Sequence, residues 1–469
     1  MLDRVHAFCD DVLAAHDAVE LAELVRRGEV SPPELAAAAT ARADQVDGQL
    51  HAIAFRCERA RFAEDRAGDW YGVPTFLKDN ADAAGMPTRH GSAAVPSRRR
   101  AGDDAFTRQF LSTGVTVLGK TAMPEFGLNP TTEFESGEPT RNPWNTAHSV
   151  GGSSGGAAAL VAAGVVPVAH GNDGGGSLRI PAACTGLIGL KPTRYRHRDN
   201  TQGRRLPIRL ISEGILSRTV RDTAVYVAAA ERIWCNRDLP PIGMVRGPSD
   251  RLLRVGILTA VGSGDGPDAE TLATVDTAAE LLEGAGHRVE QLGLPFERRL
   301  VEDFLLYWAL LAQLAAITGK AIYGLAFDSG QLDPFTRGLG RYYRERWQRT
   351  GSAMYQLARA RRTYDEVMTQ YDVVLSPVLT HAAPPLGYLS PNVPFGELLA
   401  RLTRYVGYTP INNITGTPAI SIPIGLAECG VPLSVMVSGA YGDERTLLEL
   451  AYLFESVRPF PRIVGTAAG

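Results

Sequence analysis

Lysine is nearly absent from this chain. Of 48 basic residues in 469 positions only four are lysines, and arginine fills the other basic positions. Arginine stays protonated, whereas a buried lysine can lose its proton. A retained lysine is therefore a candidate for proton transfer, which arginine cannot perform. The four candidates are Lys78, Lys120, Lys191 and Lys320.

Cysteine is also scarce, and its spacing excludes a disulfide framework. The five cysteines are scattered without paired spacing, which favours free thiols and predicts a cytoplasmic location. The first ten residues lack the charged-then-apolar pattern of a secretory signal. Cys184 lies in an apolar segment and is expected in the core. The others are Cys9, Cys57, Cys235 and Cys429.

Long apolar runs are missing as well. No run reaches the roughly 18 residues expected of a membrane-spanning helix. The longest candidate, about 304–316, is interrupted by Trp308 and Gln313, so we expect a buried helix there and no membrane partner. A formal charge of −3 and 45% hydrophobic residues allow a large core and suggest no polyanion partner.

One arginine cluster departs from this charge balance. Residues 194–209 contain six arginines, a density that suggests nucleic acid. The rest of the chain balances this charge, so a solvated loop is favoured and no nucleic-acid partner is expected. No linker, repeat or low-complexity run marks a boundary, and one domain over 1–469 is expected.

Two glycine turns that carry serine are the most informative feature. They are GGSSGG at 151–156 and GGGS at 174–177, separated by one apolar helix-plus-strand length. Glycines let main-chain N–H groups approach a substrate closely. A serine at the end of such a turn can be a nucleophile beside oxyanion donors.

A serine nucleophile needs a base, and Lys78 lies at the end of the apolar run 72–77. A lone lysine is usually a solvated side chain. With an unperturbed pKa of about 10.4, only ~0.04% of such lysines are neutral at pH 7. Burial under Phe76 and Leu77 would lower the pKa of Lys78 and increase the neutral fraction.

A nucleophile elbow is a competing interpretation of the first turn. Gly-x-Ser-x-Gly at 151–155 fits the α/β-hydrolase elbow, with Ser153 as nucleophile. That elbow needs a preceding strand, and 141–148 is expected to be a loop. It also needs a later histidine, and only His287 and His381 follow residue 200. The elbow is therefore not favoured.

A phosphate-binding pattern, G-x-x-x-x-G-K-[ST], occurs at 114–121. Its four intervening residues are Val-Thr-Val-Leu, which favour a buried strand rather than an open loop. A helix is expected before it, at about 103–112, which is the wrong order for a nucleotide site. The match is therefore coincidental.

The segment 151–193 closely resembles the signature of the amidase signature family, and 72–80 is similar to the family's lysine motif. The resemblance can be followed with gaps over roughly 15–460, with a signature core at about 60–225. It implies one large α/β/α domain around a mixed central β-sheet. It also implies amide hydrolysis by a Ser-Ser-Lys triad, with no metal and no cofactor.

Position by position, the resemblance makes Ser177 the nucleophile and Lys78 the base. Ser153, after a cis peptide bond from Gly152, connects the two. Many members have threonine where this chain has Asn172 and Gly174, but a main-chain oxyanion hole does not need those hydroxyls. The oxyanion hole is expected from the backbone N–H groups of Gly174, Gly175, Gly176 and Ser177.

Two further expectations concern the surroundings of these residues. Asp173 and Arg179 are expected to brace the second turn as an ion pair. A variable helical insert at about 296–350 is expected to form one wall of the substrate pocket. The candidate substrate-binding residues are Met123, Phe126, Ser154, Tyr307 and Trp308.

Substrate and assembly are less defined. The run 170–173 looks like a subgroup that includes actinobacterial amidases and hydrolases of aminohexanoate amides, which favours a small aliphatic or aryl amide. A biosynthetic enzyme that forms or trims an amide remains an alternative. So does the amidase subunit of a glutamine-dependent amidotransferase, which typically has glutamine at the position of Ile180. A homodimer is common among relatives, although no interface motif supports it.

Periodicity and capping signals predict alternating elements. This alternation indicates an α/β layer architecture. Helices are expected at 18–27, 32–47, 156–163 and 271–285, and strands at 165–169, 187–190, 252–258 and 287–291.

Overall fold

A computed structural model describes residues 3–262 and 266–464 of the chain. The expected domain spans 1–469, and its residues 1–2, 263–265 and 465–469 lie outside the described ranges. The first two of the ten residues considered for a secretory signal also lie outside them. The described part is a mixed α/β structure with a large mixed central sheet, as expected.

Thirteen α-helices occur in the described ranges. Helix α2 shows why they begin where they do: Ser31 caps its first turn, Glu34 closes a capping box, and Pro32 occupies the first position. The helices are α1 (Ala18–Arg27), α2 (Pro32–Leu50), α3 (Ala105–Leu111), α4 (Gly155–Ala162), α5 (Arg179–Thr185), α6 (Val220–Ile233), α7 (Ala269–Gly284), α8 (Arg299–Tyr323), α9 (Pro334–Arg346), α10 (Thr350–Gln370), α11 (Phe395–Tyr405), α12 (Pro410–Thr415) and α13 (Glu444–Val457).

The strands form three sheets. Eight strands make the central sheet in the order β10-β9-β11-β13-β12-β7-β8-β6, parallel from β10 to β11 and antiparallel beyond. The strands are β1 (Ile53–Arg61), β2 (Pro74–Lys78), β3 (Thr116–Thr121), β4 (Arg141–Asn142), β5 (Asn145–Ser149), β6 (Val168–Asp173), β7 (Ile188–Lys191), β8 (Ser212–Ser217), β9 (Arg254–Ile257), β10 (Arg288–Gln291), β11 (Val373–Pro377), β12 (Ala419–Leu426) and β13 (Pro432–Gly439).

A three-stranded sheet, β1-β3-β2, lies beside the edge strand β6 of the central sheet. The hydroxyl of Thr75 on β2 donates to the carbonyl of Val168 on β6, at 2.9 Å. The two strands also pack against each other, so their ends lie close together. This brings Lys78, the last residue of β2, to Asn172 near the end of β6.

Helix α4 fills the space next to both sheets. Its sequence, GGAAALVA, has no polar face, and every residue in it is buried. The small side chains permit close approach: a Cβ on Gly156 would lie 2.4 Å from the carbonyl oxygen of Ala52. A helix without a polar face must be enclosed by protein, and this helix carries the first serine turn at its N-terminus.

The structure shows the segments on which the phosphate-binding pattern and the nucleophile elbow were judged. Residues 114–121 contain strand β3, preceded by helix α3, which confirms the prediction of a buried strand. The loop expected at 141–148 is wrong, because β4 and β5 form a short hairpin there. The amide of Asn142 stabilises it by donating to the carbonyl of Ser149, at 3.0 Å.

Helix α8 is longer and more exposed than the buried helix expected at 304–316. Among the helices of the described ranges, α8 is the one whose length and apolar composition would be sufficient to cross a membrane. Only 33% of its most apolar 18-residue stretch is buried. One face packs against α9 and α10, while Ile317 is 64% exposed.

The arginine cluster is not simply a solvated loop. Arg196 is buried, and its guanidinium binds the buried carboxylate of Glu444 at 2.7 Å. Arg194 donates to the carbonyl of Ile414 at 2.8 Å, at the end of α12. Part of the cluster therefore ties 194–209 to the carboxyl-terminal third of the chain. Cys184 is buried as expected.

Candidate active site

Lys78 is buried at the end of β2, where its amine meets four oxygen atoms, the most distant of which is the carbonyl oxygen of Asn172 at 3.5 Å. Nζ lies 2.8 Å from Oγ of Ser153, 2.9 Å from Oγ of Ser154 and 2.8 Å from Oδ1 of Asn172. All five residues of β2 are buried. The apolar run that forms the strand therefore carries the lysine away from water, as the sequence suggests.

The hydrogen-bond roles around Lys78 can be assigned from the donors present. Ser154 donates its hydroxyl proton to the carbonyl of Asn172, at 3.3 Å, so towards Lys78 it accepts. Oδ1 of Asn172 can only accept. The hydroxyl of Ser153 donates to no other described residue. When Lys78 is neutral, Ser153 is therefore the group that can donate to the amine lone pair.

Burial increases the fraction of Lys78 side chains that are neutral. Loss of hydration lowers its pKa to about 7, although the nearby carboxylates of Glu213 and Asp173 oppose the shift. At that pKa, roughly half of the amines are neutral at pH 7, against ~0.04% for an exposed lysine. The amine can thus act as a base near neutral pH.

The first serine turn holds Ser153 against Lys78. The peptide bond between Gly152 and Ser153 is cis. Gly127 approaches from the opposite side: a Cβ there would lie 3.0 Å from Oγ of Ser153, and its φ is +73°. A larger residue at position 127 would crowd the serine hydroxyl.

His170 and Glu213 form a hydrogen-bonded pair next to Lys78, which the sequence analysis did not predict. The backbone N–H of Lys78 donates to Nδ1 of His170, at 3.1 Å, and Nε2 of His170 lies 3.0 Å from Oε2 of Glu213. From the sequence, His170 was used only as part of the run 170–173, and Glu213 was given no role. Their contact depends on the register of β6 against β8.

The second turn offers fewer oxyanion donors than expected. The N–H of Gly176 donates to Oδ1 of Asp173, at 2.7 Å, so it is not free. This corrects the expectation of four donors. The N–H groups of Gly174, Gly175 and Ser177 have no acceptor among the described residues. Gly176 has φ +131°, a region that favours glycine.

Asp173 and Arg179 form the expected ion pair and hold this turn. The guanidinium binds both carboxylate oxygens at 2.9 Å, and both side chains are fully buried. Asn413 also donates to the carboxylate, at 3.0 Å. Burial alone would raise the pKa of Asp173, but Arg179 holds that pKa well below its usual range. The carboxylate therefore stays charged and keeps its hydrogen bonds.

Ser177 lies where two cavities meet. The first, of about 190 Å³, we call the apolar chamber. The second, of about 410 Å³, we call the polar chamber. Ser177, Gly127, Leu128 and Trp308 border both. The apolar chamber is also lined by Ile180, Phe304, Leu305, Leu402 and Val406. The polar chamber is also lined by Asn80, Asp82, Arg100, Ser153, Gln202 and Arg205.

The candidate substrate-binding residues separate into two groups. Phe126 borders the polar chamber and Trp308 borders both, with its indole N–H on the carbonyl of Leu128 at 3.0 Å. Met123, Ser154 and Tyr307 line neither chamber, contrary to expectation. Met123 is buried, and Ser154 accepts a hydrogen bond from Lys78. The hydroxyl of Tyr307 donates to the carbonyl of residue 208, at 2.7 Å.

No grouping of three or more His, Cys, Asp or Glu side chains suited to a metal ion is found within 3–262 and 266–464. All five cysteines are free thiols.

The fold and this site define an amide-hydrolysing enzyme, and the comparisons agree. The amidase family model matches residues 22–448, and the chain belongs to that family. It is similar to the putative amidase AmiC of Mycobacterium leprae, with 43% identity over 98% of this chain and 99% of that protein.

Two further comparisons concern one kind of enzyme. The 6-aminohexanoate-cyclic-dimer hydrolase of Pseudomonas sp. (strain NK87) is 32% identical over 95% of each chain. A solved structure of a 6-aminohexanoate cyclic dimer hydrolase superimposes with a TM-score of 0.83 and 29% identity, over 97% of this chain and 100% of that one. The protein is a hydrolase of amide C–N bonds.

Proposed function

We propose that this amidase hydrolyses a small-molecule amide through Lys78, Ser153 and Ser177, with an acyl-serine intermediate on Ser177. The observation that carries the proposal is the 2.8 Å contact between the buried amine of Lys78 and the hydroxyl of Ser153. Ser153 and Ser177 border the same polar chamber. A base, a carrier and a nucleophile are thus available at one cavity.

In the first half-reaction, Ser177 attacks the amide carbon while its proton passes to Ser153 and the proton of Ser153 passes to Lys78. The negative charge on the carbonyl oxygen is stabilised by free backbone N–H groups of the second turn, each worth a few kcal/mol in comparable sites. The C–N bond then breaks, and the nitrogen leaves with the proton returned by Ser153.

In the second half-reaction, water attacks acyl-Ser177 and passes a proton along the same path. The ester bond breaks, Ser177 regains its proton, and a carboxylic acid is released. Ile180, which stands where the amidotransferase subunit typically has glutamine, borders the apolar chamber. This supports a small-molecule substrate over an acylated tRNA.

A fluorophosphonate probe with intact-mass analysis and peptide mapping tests the proposal. We expect one adduct, on Ser177, absent in Ser177→Ala and formed more slowly in Ser153→Ala. Ser434→Ala is a matched control, because Ser434 is 7% exposed against 8% for Ser177 and borders neither chamber. An adduct on Ser153, or undiminished labelling of Ser177→Ala, would contradict the assignment.

Hydrolysis and amide synthesis are separated by a second measurement. The enzyme is given an amide in water with and without a competing amine, and both products are quantified. We expect the free acid to dominate. Faster formation of a new amide would instead favour the biosynthetic alternative.

A further inference from the structure

The two chambers receive different halves of the amide. As the C–N bond breaks, the leaving nitrogen must take up a proton, which Ser153 carries in the proposed mechanism. Ser153 borders the polar chamber and not the apolar chamber. The amine half must therefore lie in the polar chamber, and the acyl half extends into the apolar chamber.

The lining of the apolar chamber selects an uncharged acyl group. Its walls are aliphatic and aromatic side chains such as Leu305 and Phe304, and no lysine, arginine or histidine is among the described residues that line it. Glu297 is its one carboxylate and is exposed to water. A charged acyl group would lose hydration there without gaining a partner.

The polar chamber, by contrast, carries a net positive charge. Asp82 and Arg100 neutralise each other, with 2.9 Å between Oδ1 and Nε. Arg205 lines the same chamber and is exposed to water, and its guanidinium forms no hydrogen bond or ion pair with any described residue. Its charge reaches the interior: burial raises the pKa of Tyr323 to about 12, and Arg205 opposes that rise.

A second unpaired group lies deeper in the polar chamber. Asn80 is 3% exposed, and its Nδ2 donates to Oε1 of Gln202, at 3.1 Å. Its Oδ1 is buried and accepts no hydrogen bond in the described ranges. A buried acceptor of this kind normally has a partner. An N–H of the amine half would supply one.

We propose that the substrate is a linear amide that joins an uncharged, apolar acyl group to an amine bearing a carboxylate, and that Arg205 binds this carboxylate. The inference rests on the proposed function. Hydrolysis then adds one water molecule and yields an apolar carboxylic acid and a free amino acid. The amine half must end in a free carboxylate. In a cyclic amide of amino acid units that carboxyl group is part of an amide bond, so the group that Arg205 binds is missing.

The test uses three amides that share one acyl group and differ in the charge of the amine half. They are N-hexanoylglycine, N-hexanoylethanolamine and N-hexanoylethylenediamine, which are anionic, neutral and cationic at pH 7. We expect kcat/KM to be highest for the anionic amide, by about tenfold over the neutral one, as for a charge-assisted hydrogen bond. Added salt should reduce that preference.

Arg205→Gln should lower kcat/KM for the anionic amide about tenfold and change the neutral amide less than about twofold. Arg204→Gln is the matched control, since Arg204 is equally exposed, adjacent and not part of the chamber lining. Equal rates for the three amides would overturn the proposal. So would an Arg205→Gln effect of the same size on all of them.

Labelling of Ser177 separates this proposal from the proposed function. In each variant, fluorophosphonate labelling is measured with and without N-hexanoylglycine, which should protect Ser177 better than the neutral amide does. Labelling of Ser177 without such protection or turnover overturns the substrate assignment alone. Absence of labelling in the wild type overturns the proposed function.

Discussion

His170 donates its Nε2–H to Glu213 across 3.0 Å, directly behind Lys78. The tautomer follows from the other nitrogen, because Nδ1 accepts the backbone N–H of Lys78. Burial lowers the pKa of His170 and raises the pKa of Glu213, so a neutral imidazole is favoured. The pair fixes the end of β2, and Glu213 is one of two carboxylates whose charge raises the pKa of Lys78.

Glu213→Gln should move the pH profile of the enzyme. The substitution keeps an acceptor for His170 and removes the negative charge that Glu213 places near Lys78 when it is ionised, so the pKa of Lys78 should fall wherever Glu213 is charged. Because the proposed mechanism uses neutral Lys78 as the base, the acidic limb of kcat/KM should shift to lower pH, by about half a unit or more. Glu133→Gln, another buried carboxyl but one that makes no contact with Lys78, should leave the limb in place. An unmoved limb in Glu213→Gln would refute the coupling.

Lys78→Arg should reduce kcat by about 10²–10⁴-fold, the usual loss on removing a general base. Arginine keeps the positive charge but cannot give up its proton at neutral pH. Lys191→Met is a control for loss of a buried lysine, because burial also lowers the pKa of Lys191 to about 7. Near-normal turnover of Lys78→Arg, measured with any hydrolysed amide, would exclude Lys78 as the base.

The buried amine of Lys78 should also make stability depend on pH. Its pKa is about 7 in the folded protein and about 10.4 when unfolded. Between these values the unfolded chain holds one more proton, so the free energy of unfolding rises with pH by about 1.4 kcal/mol per unit.

Lys78→Met should remove that contribution. From pH 7.5 to 9, the wild type should gain about 2 kcal/mol relative to the variant, as measured by urea unfolding. Lys320→Met, at an exposed lysine, should run parallel to the wild type. Parallel curves for Lys78→Met as well would show that its amine is charged in the folded state.

Asp173→Asn should destabilise the protein by about 3–5 kcal/mol, because it leaves the guanidinium of Arg179 buried without its counter-ion. It should also lower kcat, since Asp173 holds the turn that we propose presents the oxyanion donors. Urea unfolding and steady-state kinetics measure the two effects. Asp365→Asn breaks a largely exposed pair with Arg361 and should cost less than about 1 kcal/mol. A similarly small cost for Asp173→Asn would contradict the bracing role.

Local sequence signals marked Lys78 and the serine turns as candidates, and the family resemblance predicted that they form one site. The apolar run before Lys78 predicts a buried strand, and the glycines at 151–156 and 174–177 predict tight turns. Each is a local pattern of backbone or burial. The fold class followed from the alternation of elements and from the family resemblance.

Contacts that depend on strand pairing could not be predicted in this way. Glu213 reaches His170 because β8 runs antiparallel to β6, with Gly171 opposite Gly214. The N–H of Gly176 was expected in the oxyanion hole, but it donates to the side chain of Asp173. The local sequence does not determine which way that side chain points, so this bond could not be predicted. The hairpin of β4 and β5 was missed because its strands are short and polar, and tertiary hydrogen bonds stabilise them.

The distribution of the lysines has a consequence for chemical modification. Lys78, Lys120 and Lys191 are inaccessible to water, and the exposed Lys320 lies near the end of α8. A reagent that acylates amines should therefore find a single lysine side chain on the folded protein. A dye, cross-linker or surface attachment directed at lysine side chains would occupy this one position on the folded protein, and unfolding would expose three more lysines to the same reagent.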